Sequence, residues 1–353
     1  MAEKVLMKGN EAIAEAAIRA GCMHYFGYPI TPQTELAAYM AKKMPKIGGC
    51  FLQAESELAA INMVYGAAST GHRAMTSSST PGISLKQEGI SYLAAADLPC
   101  LVVNVERGGP GLGGIQPSQA DYNQACKGGG HGDYHLLVFS PASVQEMADL
   151  TYRAFDMSEK YRIPAMLLAD GTIGQMMEPV ELPAEKTEFI EKPWALTGTG
   201  MKRAHNRINT LVLDTEELER QNFERYEKYR LVEEQEQSCE LYRMEDAEYA
   251  IVAFGIASRV AKNAIAVLRR EGIKVGLIRP IMLWPFPKKA VREAAEQVKA
   301  FLSVELSMGQ MIDDIRLAEE CRKPVALCNR VGGMIPSSEM IIEKVRKMTG
   351  GEF

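Results

Sequence analysis

The feature that most constrains the fold of this chain is a regular alternation of short apolar runs with segments of helical periodicity. Before residue 180, runs such as "PCLVVNVE" and "PAMLLAD" have the length and composition of buried strands, and helical patterns separate them. A second series begins near Ala250 with "AIVAFG". This alternation predicts an α/β fold in which helices cover both faces of a mostly parallel sheet.

A change in composition divides the chain into three parts. Residues 1–180 hold the first series of strands and helices, and residues 246–353 hold a second, smaller series. Residues 181–245 include the charge-rich segment "TEELERQNFERYEKYRLVEEQEQ", which predicts a solvated helix lying across a surface. We therefore expect two α/β domains joined by a charged connector.

Charge and cysteine usage argue against several classes of protein. The 353 residues carry a formal net charge of −5, so a large nucleic-acid interface is not expected. The chain has no apolar run long enough to cross a bilayer and no signal peptide, so we expect a cytoplasmic protein. None of the seven cysteines forms a C-x2-C pair, which argues against a zinc or iron–sulfur site built by this chain alone.

The stretch "HYFGYPITPQTEL", residues 24–36, places one threonine between two prolines where a strand gives way to a helix. Pro29 has no N–H and should end the strand pairing. Thr31 then occupies the position of a helix N-cap, and Pro32 the first helical position. A hydroxyl and free N–H groups at the carboxyl end of a strand suit an anionic ligand. A threonine that only caps a helix would give the same pattern.

Two glutamates, Glu55 and Glu57, stand at the start of a helix that is too apolar to face solvent. Two residues correspond to roughly 200° of helical rotation, so the two side chains cannot point the same way. One is expected at the surface, where it complements the helix dipole. The other should lie close to the core, where a carboxyl group needs a specific partner.

Arg107 follows a predicted strand directly, in "NVERGGPG". An arginine beside a flexible glycine loop at the carboxyl end of a strand is suited to holding a carboxylate with two hydrogen bonds. A surface salt bridge is the alternative interpretation.

Three other patterns resemble functional sites without meeting their requirements. The segment Gly109–Gly114 matches G-x-G-x-x-G, but no helical pattern opens on its third glycine, so we expect a mobile substrate loop there. The stretch "ADGTIG" has Ala169 where a thiamine diphosphate magnesium motif has glycine. His131 and His135 are isolated loop histidines and are not expected to bind a metal.

Five longer motifs, in the order in which they occur, are "GYPITPQTEL", "QAESELAAINMVYGAASTGHRAMTSSSTPGISLKQEGISY", "VERGGPGLG", "GGGHGD" and "IRPIMLWPFP". Together they resemble the 2-oxoacid:ferredoxin oxidoreductases, in particular the subunit with the pyrimidine-binding domain. The resemblance extends over essentially the whole chain. It implies a thiamine-diphosphate-binding-type parallel sheet with helices on both faces, followed by a smaller transketolase C-terminal-like α/β domain.

The resemblance implies an oxidoreductase that decarboxylates a 2-oxo acid, forms an acyl-CoA and CO2, and passes electrons to ferredoxin. Family members acting on 3-methyl-2-oxobutanoate are the most similar, and those specific for 2-oxoglutarate are nearly as similar; pyruvate is a further alternative. A second carboxylate on 2-oxoglutarate requires a second cation, for which His72, Arg73 and Lys127 are candidates. A non-catalytic scaffold subunit of such a complex is an alternative of another class.

The resemblance also implies a division of labour in a heteromeric complex of anaerobic metabolism. Thiamine diphosphate would lie between this chain and a thiamine-pyrophosphate-domain subunit. Mg²⁺ and the iron–sulfur clusters would be held by partner subunits, and no metal by this chain. The expected companions also include ferredoxin-like and gamma-type subunits, and the expected substrates are ferredoxin, coenzyme A and the 2-oxo acid.

The family's functional positions fall on four residues of this sequence. The resemblance assigns Glu57 the carboxylate that hydrogen-bonds N1′ of the cofactor's aminopyrimidine, with Glu55 as the second candidate. It assigns Thr31 and Arg107 to the substrate carboxylate and Pro29 to the cofactor site. Thr80 stands where many relatives have glycine, so no role is assigned to that loop.

Overall fold

The computed structural model describes residues 4–353. Within that range the strands are β1 (Lys4–Lys8), β2 (His24–Gly27), β3 (Cys50–Gln53), β4 (Ala74–Ser78), β5 (Leu101–Glu106), β6 (Leu137–Phe139), β7 (Ala165–Asp170), β8 (Met177–Glu181), β9 (Cys239–Tyr242), β10 (Tyr249–Val252), β11 (Val275–Pro280), β12 (Met282–Trp284), β13 (Ala300–Glu305) and β14 (Val325–Asn329). The α-helices are α1 (Gly9–Arg19), α2 (Thr34–Lys43), α3 (Glu57–Ser69), α4 (Thr80–Ala95), α5 (Tyr122–Cys126), α6 (Val144–Tyr161), α7 (Gly171–Gln175), α8 (Thr215–Gln235), α9 (Gly255–Arg270), α10 (Lys288–Gln297), α11 (Met311–Ala318) and α12 (Ser338–Thr349). A short 3-10 helix, Met44–Lys46, follows α2.

The first sheet has seven strands in the order β12-β6-β7-β5-β4-β2-β3. Its strands run parallel except β12, which is antiparallel to β6. Every residue of β4, β5 and β7 is buried, which is the pattern of strands covered on both faces. The prediction of a helix-covered parallel sheet is therefore confirmed.

The second sheet has five strands in the order β14-β13-β10-β11-β9. Its neighbouring strands are parallel apart from β9, which pairs antiparallel with β11. Helix α9 turns Ala261, Ala264, Ile265 and Leu268 into the core, and α12 packs against α9. A separate two-stranded ribbon pairs β1 with β8.

Each sheet includes one edge strand from a segment that the sequence analysis placed outside its domain. Strand β12 lies in the range 246–353 but completes the edge of the first sheet. Strand β9 lies in the range 181–245 but forms an edge of the second sheet. The division into 1–180, 181–245 and 246–353 stays a prediction.

Buried polar contacts hold the second unit against the carboxyl end of β7. Asp170 caps α7, and its Oδ2 also accepts a hydrogen bond from the main-chain N–H of Ile256 at 2.8 Å. Burial raises the pKa of Asp170 to about 6. Arg279 donates two hydrogen bonds to Glu146, at 2.7 and 2.9 Å. These contacts join the two units next to the edge at which β4 and β5 end.

No helix among residues 4–353 combines the length and the apolar character needed to traverse a bilayer. Helix α8 buries Tyr229 and Val232 and leaves most of its charged side chains in solvent. Its Lys228 donates to Asp97 at 2.5 Å, which ties the helix to the loop after α4.

Candidate functional site

The loops that follow β2, β4 and β5 meet at the carboxyl edge of the first sheet. They carry three of the residues selected from the sequence. Arg107 Nη1 donates to the carbonyl oxygen of Thr31 at 3.0 Å. The Arg107 main-chain N–H donates to Thr80 Oγ1 at 3.2 Å, and that hydroxyl lies equally far from the Arg107 carbonyl. The structure therefore brings Thr31 and Arg107 together; Pro29 lies in the same loop and is exposed.

The prediction that Thr31 is a helix N-cap is wrong. Helix α2 begins at Thr34, and Gln33 occupies the cap position without a side-chain hydrogen bond. The carbonyl of Pro32 accepts hydrogen bonds from the side chains of Asn10 at 2.8 Å and Gln175 at 3.0 Å, so it takes no part in the helix. Thr31 is instead an exposed loop residue whose carbonyl holds the arginine.

Arg107 is buried and has no carboxylate partner among the described residues, so the surface salt bridge is not what the structure contains. Its Nη2 donates to the carbonyl of Leu112 at 3.1 Å, and its Nε is buried without a hydrogen-bond partner within residues 4–353. Two main-chain carbonyls thus fix the guanidinium and leave its charge uncompensated. Such a group is poised to bind an anion.

Glu55 and Glu57 differ in burial as predicted, but helical rotation is not the cause, because Glu55 lies before the helix. Ser56 caps α3 by accepting a hydrogen bond from the main-chain N–H of Ala59, which makes Glu57 the first helical residue. Glu55 is exposed, whereas Glu57 is only 7% exposed. The Glu57 carboxylate makes no hydrogen bond or ion pair within residues 4–353, so a mostly buried side chain offers an unpaired acceptor that a ligand can reach.

The turn from β4 into α4 forms a cradle against this carboxylate. A Cβ added at Gly82 would lie 2.1 Å from Ser78 Oγ and 2.8 Å from Glu57 Oε1. The hydroxyls of Ser78 and Ser79 are buried and have no hydrogen-bond partner in the described part of the chain. Buried hydroxyls that lack a partner within the protein usually bond to a water or a ligand.

A buried network supports this turn from behind. Asp121 Oδ2 accepts hydrogen bonds from Thr80 at 2.6 Å and from Asn104 at 2.8 Å, and the Asp121 main-chain N–H donates to Glu106 at 2.9 Å. Burial, followed by the charge of Asp121, holds the pKa of Glu106 well above its ordinary value. Thr80 therefore links α4 to Arg107 and anchors both.

Lys86 is the residue of this region that the sequence analysis missed. Its side chain is fully buried, and its Nζ donates to the main-chain carbonyl of Glu57 at 3.3 Å. Burial lowers the pKa of Lys86 to about 8, against the opposing effect of the Glu57 charge. Its spacing in the sequence could have indicated that Lys86 is buried, because Ile83, Lys86 and Ile90 lie on the buried face of α4.

Of the other three candidate cations, two lie at the opposite end of the sheet and the third is held in an ion pair. His72 and Arg73 precede β4 and so lie at the opposite, amino end of the sheet; Arg73 is paired with Asp156 and Glu159. Lys127 is paired with Asp314. The second cation that 2-oxoglutarate requires is therefore not supplied by any of these three.

The two loop histidines also remain apart from the site. His131 is exposed, and His135 stacks on Trp284 with ring centroids 4.6 Å apart. Burial lowers the pKa of His135. No helix opens on Gly114, since the next one is α5. Within residues 4–353, no cluster of three or more His, Cys, Asp or Glu side chains is arranged to hold a metal ion.

Comparison with known proteins identifies the class to which this fold and site belong. The family model described as "Pyruvate flavodoxin/ferredoxin oxidoreductase, thiamine diP-bdg" matches residues 15–244. The model "Pyruvate:ferredoxin oxidoreductase core domain II" matches residues 247–341. The chain therefore belongs to the 2-oxoacid:ferredoxin oxidoreductase family, as its motifs predicted, and it contains the family's thiamine-diphosphate-binding domain.

Individual relatives narrow the comparison further. The chain is 52% identical to the ketoisovalerate oxidoreductase subunit VorB of Methanothermobacter marburgensis over 98% of both chains. It is 35% identical to the 2-oxoglutarate synthase subunit KorA of the same organism, over 99% of this chain and 100% of that one. Both relatives are described as enzyme subunits.

Solved structures agree with the fold. A 2-oxoglutarate:ferredoxin oxidoreductase from Magnetococcus marinus, solved with 2-oxoglutarate, coenzyme A and succinyl-CoA bound, superimposes with a TM-score of 0.88 at 28% identity. The match covers 98% of this chain and 65% of that one, so the present chain spans about two thirds of its length. A split-gene transketolase, at 14% identity and a TM-score of 0.60, shares the fold, which confirms the predicted fold class.

Gly82→Ala tests the cradle on the isolated full chain. The new Cβ must displace Ser78 or Glu57, so we expect a loss of about 1–3 kcal/mol in the free energy of unfolding, measured by urea titration. Gly66→Ala in neighbouring α3 is the matched control. Its Cβ would meet nothing within 4 Å, and we expect it to stabilise the chain by about 0.5–1 kcal/mol. Equal effects of the two substitutions would contradict the close contact at Gly82.

Proposed function

We propose that this chain is the catalytic pyrimidine-binding subunit of an oxidoreductase that converts a branched-chain 2-oxo acid to its acyl-CoA and CO2 and reduces ferredoxin. The observation that carries the proposal is the Glu57 carboxylate, buried and without a partner among the described residues, beside the cradle at Gly82. The family's thiamine-diphosphate-binding domain supports it. The unpaired hydroxyls of Ser78 and Ser79 fit a polar cofactor at this place.

Glu57 has the central role in this proposal. Thiamine diphosphate, when bound, would supply a carbon nucleophile at C2 of its thiazolium ring. Glu57 would hold N1′ of the aminopyrimidine ring and stabilise its reactive tautomer by hydrogen bonding. Pro29, exposed in the loop after β2, would contact the cofactor beside it. The exposed position of Glu55 makes it the weaker candidate.

Arg107 and Thr31 would hold the substrate carboxylate. The guanidinium is fixed by the carbonyls of Thr31 and Leu112, and the Thr31 hydroxyl lies on an exposed loop. A substrate whose carboxylate leaves as CO2 must be oriented without excessive ground-state stabilisation. One cation and one hydroxyl meet that requirement.

The proposed substrate is 3-methyl-2-oxobutanoate or a similar branched-chain 2-oxo acid. The identity to the ketoisovalerate oxidoreductase subunit supports this choice over 2-oxoglutarate. The positions of the three candidate cations support this choice as well, because a branched alkyl group needs no second cation. His72 and Arg73 lie at the other end of the sheet, and Arg73 and Lys127 are held in ion pairs. Measured kcat/KM values across a series of 2-oxo acids test this choice. A preference for 2-oxoglutarate over 3-methyl-2-oxobutanoate would contradict it.

A partner subunit would complete the site. Large apolar side chains are exposed around Glu57, at Tyr28, Leu52, Leu58 and Leu85. Helix α3, expected from its composition to be deeply buried, exposes the face of Leu58. Exposed apolar patches of this kind mark protein–protein contacts. We propose that the thiamine-pyrophosphate-domain subunit covers this face in a cytoplasmic complex that also contains ferredoxin-like and gamma-type subunits, with Mg²⁺ and the iron–sulfur clusters on those partners.

The assembly proposal makes a prediction about the chain on its own. Because the diphosphate and its Mg²⁺ would be held by the partner, we expect the isolated chain to bind thiamine diphosphate poorly and to be colourless. Calorimetric titration with the cofactor and Mg²⁺, together with a visible absorption spectrum, checks this; co-expression with the partner should restore tight binding. Tight Mg²⁺-dependent binding by the chain alone, or an iron–sulfur absorption band, would contradict the proposal.

A further inference from the structure

Lys86 lies within the group of side chains that includes Glu57, although no ion pair joins the two. The lysine follows Gly82 by one helical turn of α4, and Gly82 is the residue against which the Glu57 carboxylate rests. Its ammonium donates to the Glu57 main-chain carbonyl at 3.3 Å and is fully buried. The cation therefore lies at the base of the cradle, and the carboxylate lies at its mouth.

A buried cation without an ion pair is costly for folding, and a methionine of similar length could occupy the same space. Among groups on elements packed against α4, Glu57 is the one within residues 4–353 whose charge acts on the Lys86 ammonium. Of the other nearby titratable groups, Asp121 is engaged by Thr80 and Asn104, and Tyr134 donates to Gln87. The electrostatic relationship of Lys86 is thus with Glu57 alone in this part of the chain.

We propose that Lys86 is a positioning residue of the cofactor site, which keeps Glu57 ionised while the aminopyrimidine covers it and which anchors the first turn of α3. The inference rests on the proposed function of Glu57. The need for it is electrostatic, since a cofactor ring that displaces water from Glu57 would otherwise favour the protonated carboxyl. The protonated Lys86 ammonium, held next to the Glu57 main chain, opposes that change and leaves Glu57 able to accept a hydrogen bond.

The first test uses the full chain without cofactor. Lys86→Met should raise the thermal unfolding midpoint below pH 8, because it removes a buried charge. The pKa of Lys86 is lowered to about 8 in the folded chain, so the unfolded chain binds more protons above that pH. The wild type therefore gains stability relative to Lys86→Met as the pH rises from about 8 towards 10.5, and the difference between the two midpoints should narrow.

A double-mutant cycle with Glu57→Gln measures the coupling. Without the Glu57 charge the buried lysine should be more costly, so at pH 7 the gain from Lys86→Met should be larger than in the wild-type background. Lys228→Met is the matched control, because it removes a partly buried lysine of α8 that is paired with Asp97. Its effect on the unfolding midpoint should be the same with and without Glu57→Gln. Additive effects of Lys86→Met and Glu57→Gln would overturn the inference.

The second test uses the assembled, cofactor-loaded complex and follows exchange of the cofactor's C2 proton as a function of pH. Lys86→Met should move the pH of half-maximal exchange upward, since it removes the ammonium that lies against the main chain of Glu57. Lys86→Gln, which keeps a hydrogen-bond donor without a charge, should show the same shift. A merely structural role would change the rate but not the midpoint.

The outcomes separate this inference from the proposed function. A loss of exchange in Glu57→Gln with an unmoved midpoint in Lys86→Met or Lys86→Gln would overturn the role of Lys86 and leave that of Glu57 intact. Normal exchange in Glu57→Gln would contradict the proposed function and the present inference with it. A shifted midpoint in both lysine variants, together with non-additivity in the unfolding cycle, is the result expected.

Discussion

Glu57→Gln in the assembled complex is expected to lower kcat by about 10²–10⁴-fold, the range found when a positioned acid–base group is removed. Glutamine keeps the size of the side chain and can still form a hydrogen bond, but it cannot act as the carboxylate that favours the reactive tautomer. Because Glu57 makes no side-chain hydrogen bond within residues 4–353 and glutamine has the same size, its replacement breaks no internal hydrogen bond and keeps the packing against Gly82. Folding and cofactor content, measured after purification, should therefore remain close to those of the wild type.

Arg107→Ala should weaken the use of every 2-oxo acid tested. Removing one partner of a buried charged contact costs about 2–5 kcal/mol, which should appear as a loss in kcat/KM. Arg346→Ala, which breaks an exposed pair with Glu271 on the second unit, is the matched control and should leave kcat/KM unchanged.

The pattern of losses across substrates in Arg107→Ala shows which part of the substrate Arg107 contacts. An unchanged kcat/KM in Arg107→Ala would contradict the assignment. A loss confined to 2-oxoglutarate would instead place Arg107 at the distal end of the substrate. A loss shared by branched-chain, pyruvate and 2-oxoglutarate substrates is expected, because all of them carry the carboxylate that departs as CO2.

Much of the fold could be predicted because its signals are local. The central strands β4, β5 and β7 consist mainly of apolar or small residues, and each is buried throughout. Strand β12 could not be predicted in the same way. It is three residues long and pairs with β6, which lies more than a hundred residues earlier in the chain.

The loop before α2 shows where local reasoning failed. The pattern of Thr31 and Pro32 is that of a helix start, but the carbonyl of Pro32 is held by Asn10 and Gln175. Those donors come from α1 and α7, so no local sequence pattern reports them. The interaction that fixes this loop is tertiary, and it moves the helix start to Thr34.

The glutamate pair was resolved only in part from the sequence. The expected outcome of one exposed and one buried side chain is confirmed, but the helical rotation from which it was argued does not apply, because Glu55 lies before the helix. The choice of the buried member depends on Ser56, whose cap makes Glu57 the first residue of α3. Lys86 was overlooked because a single lysine in a helix is usually solvent-exposed, although its place in the apolar stripe of α4 was visible in the sequence.

The central claim, that Glu57 activates the cofactor, is tested most directly by hydrogen–deuterium exchange at C2 of bound thiamine diphosphate, read by NMR after acid quench. Glu57→Gln and Glu55→Gln are compared side by side in the assembled complex. We expect exchange to slow by about 10²–10⁴-fold in Glu57→Gln and to stay near the wild-type rate in Glu55→Gln. Normal exchange in Glu57→Gln with slow exchange in Glu55→Gln would transfer the role to Glu55, and normal exchange in both would leave the chain as a scaffold.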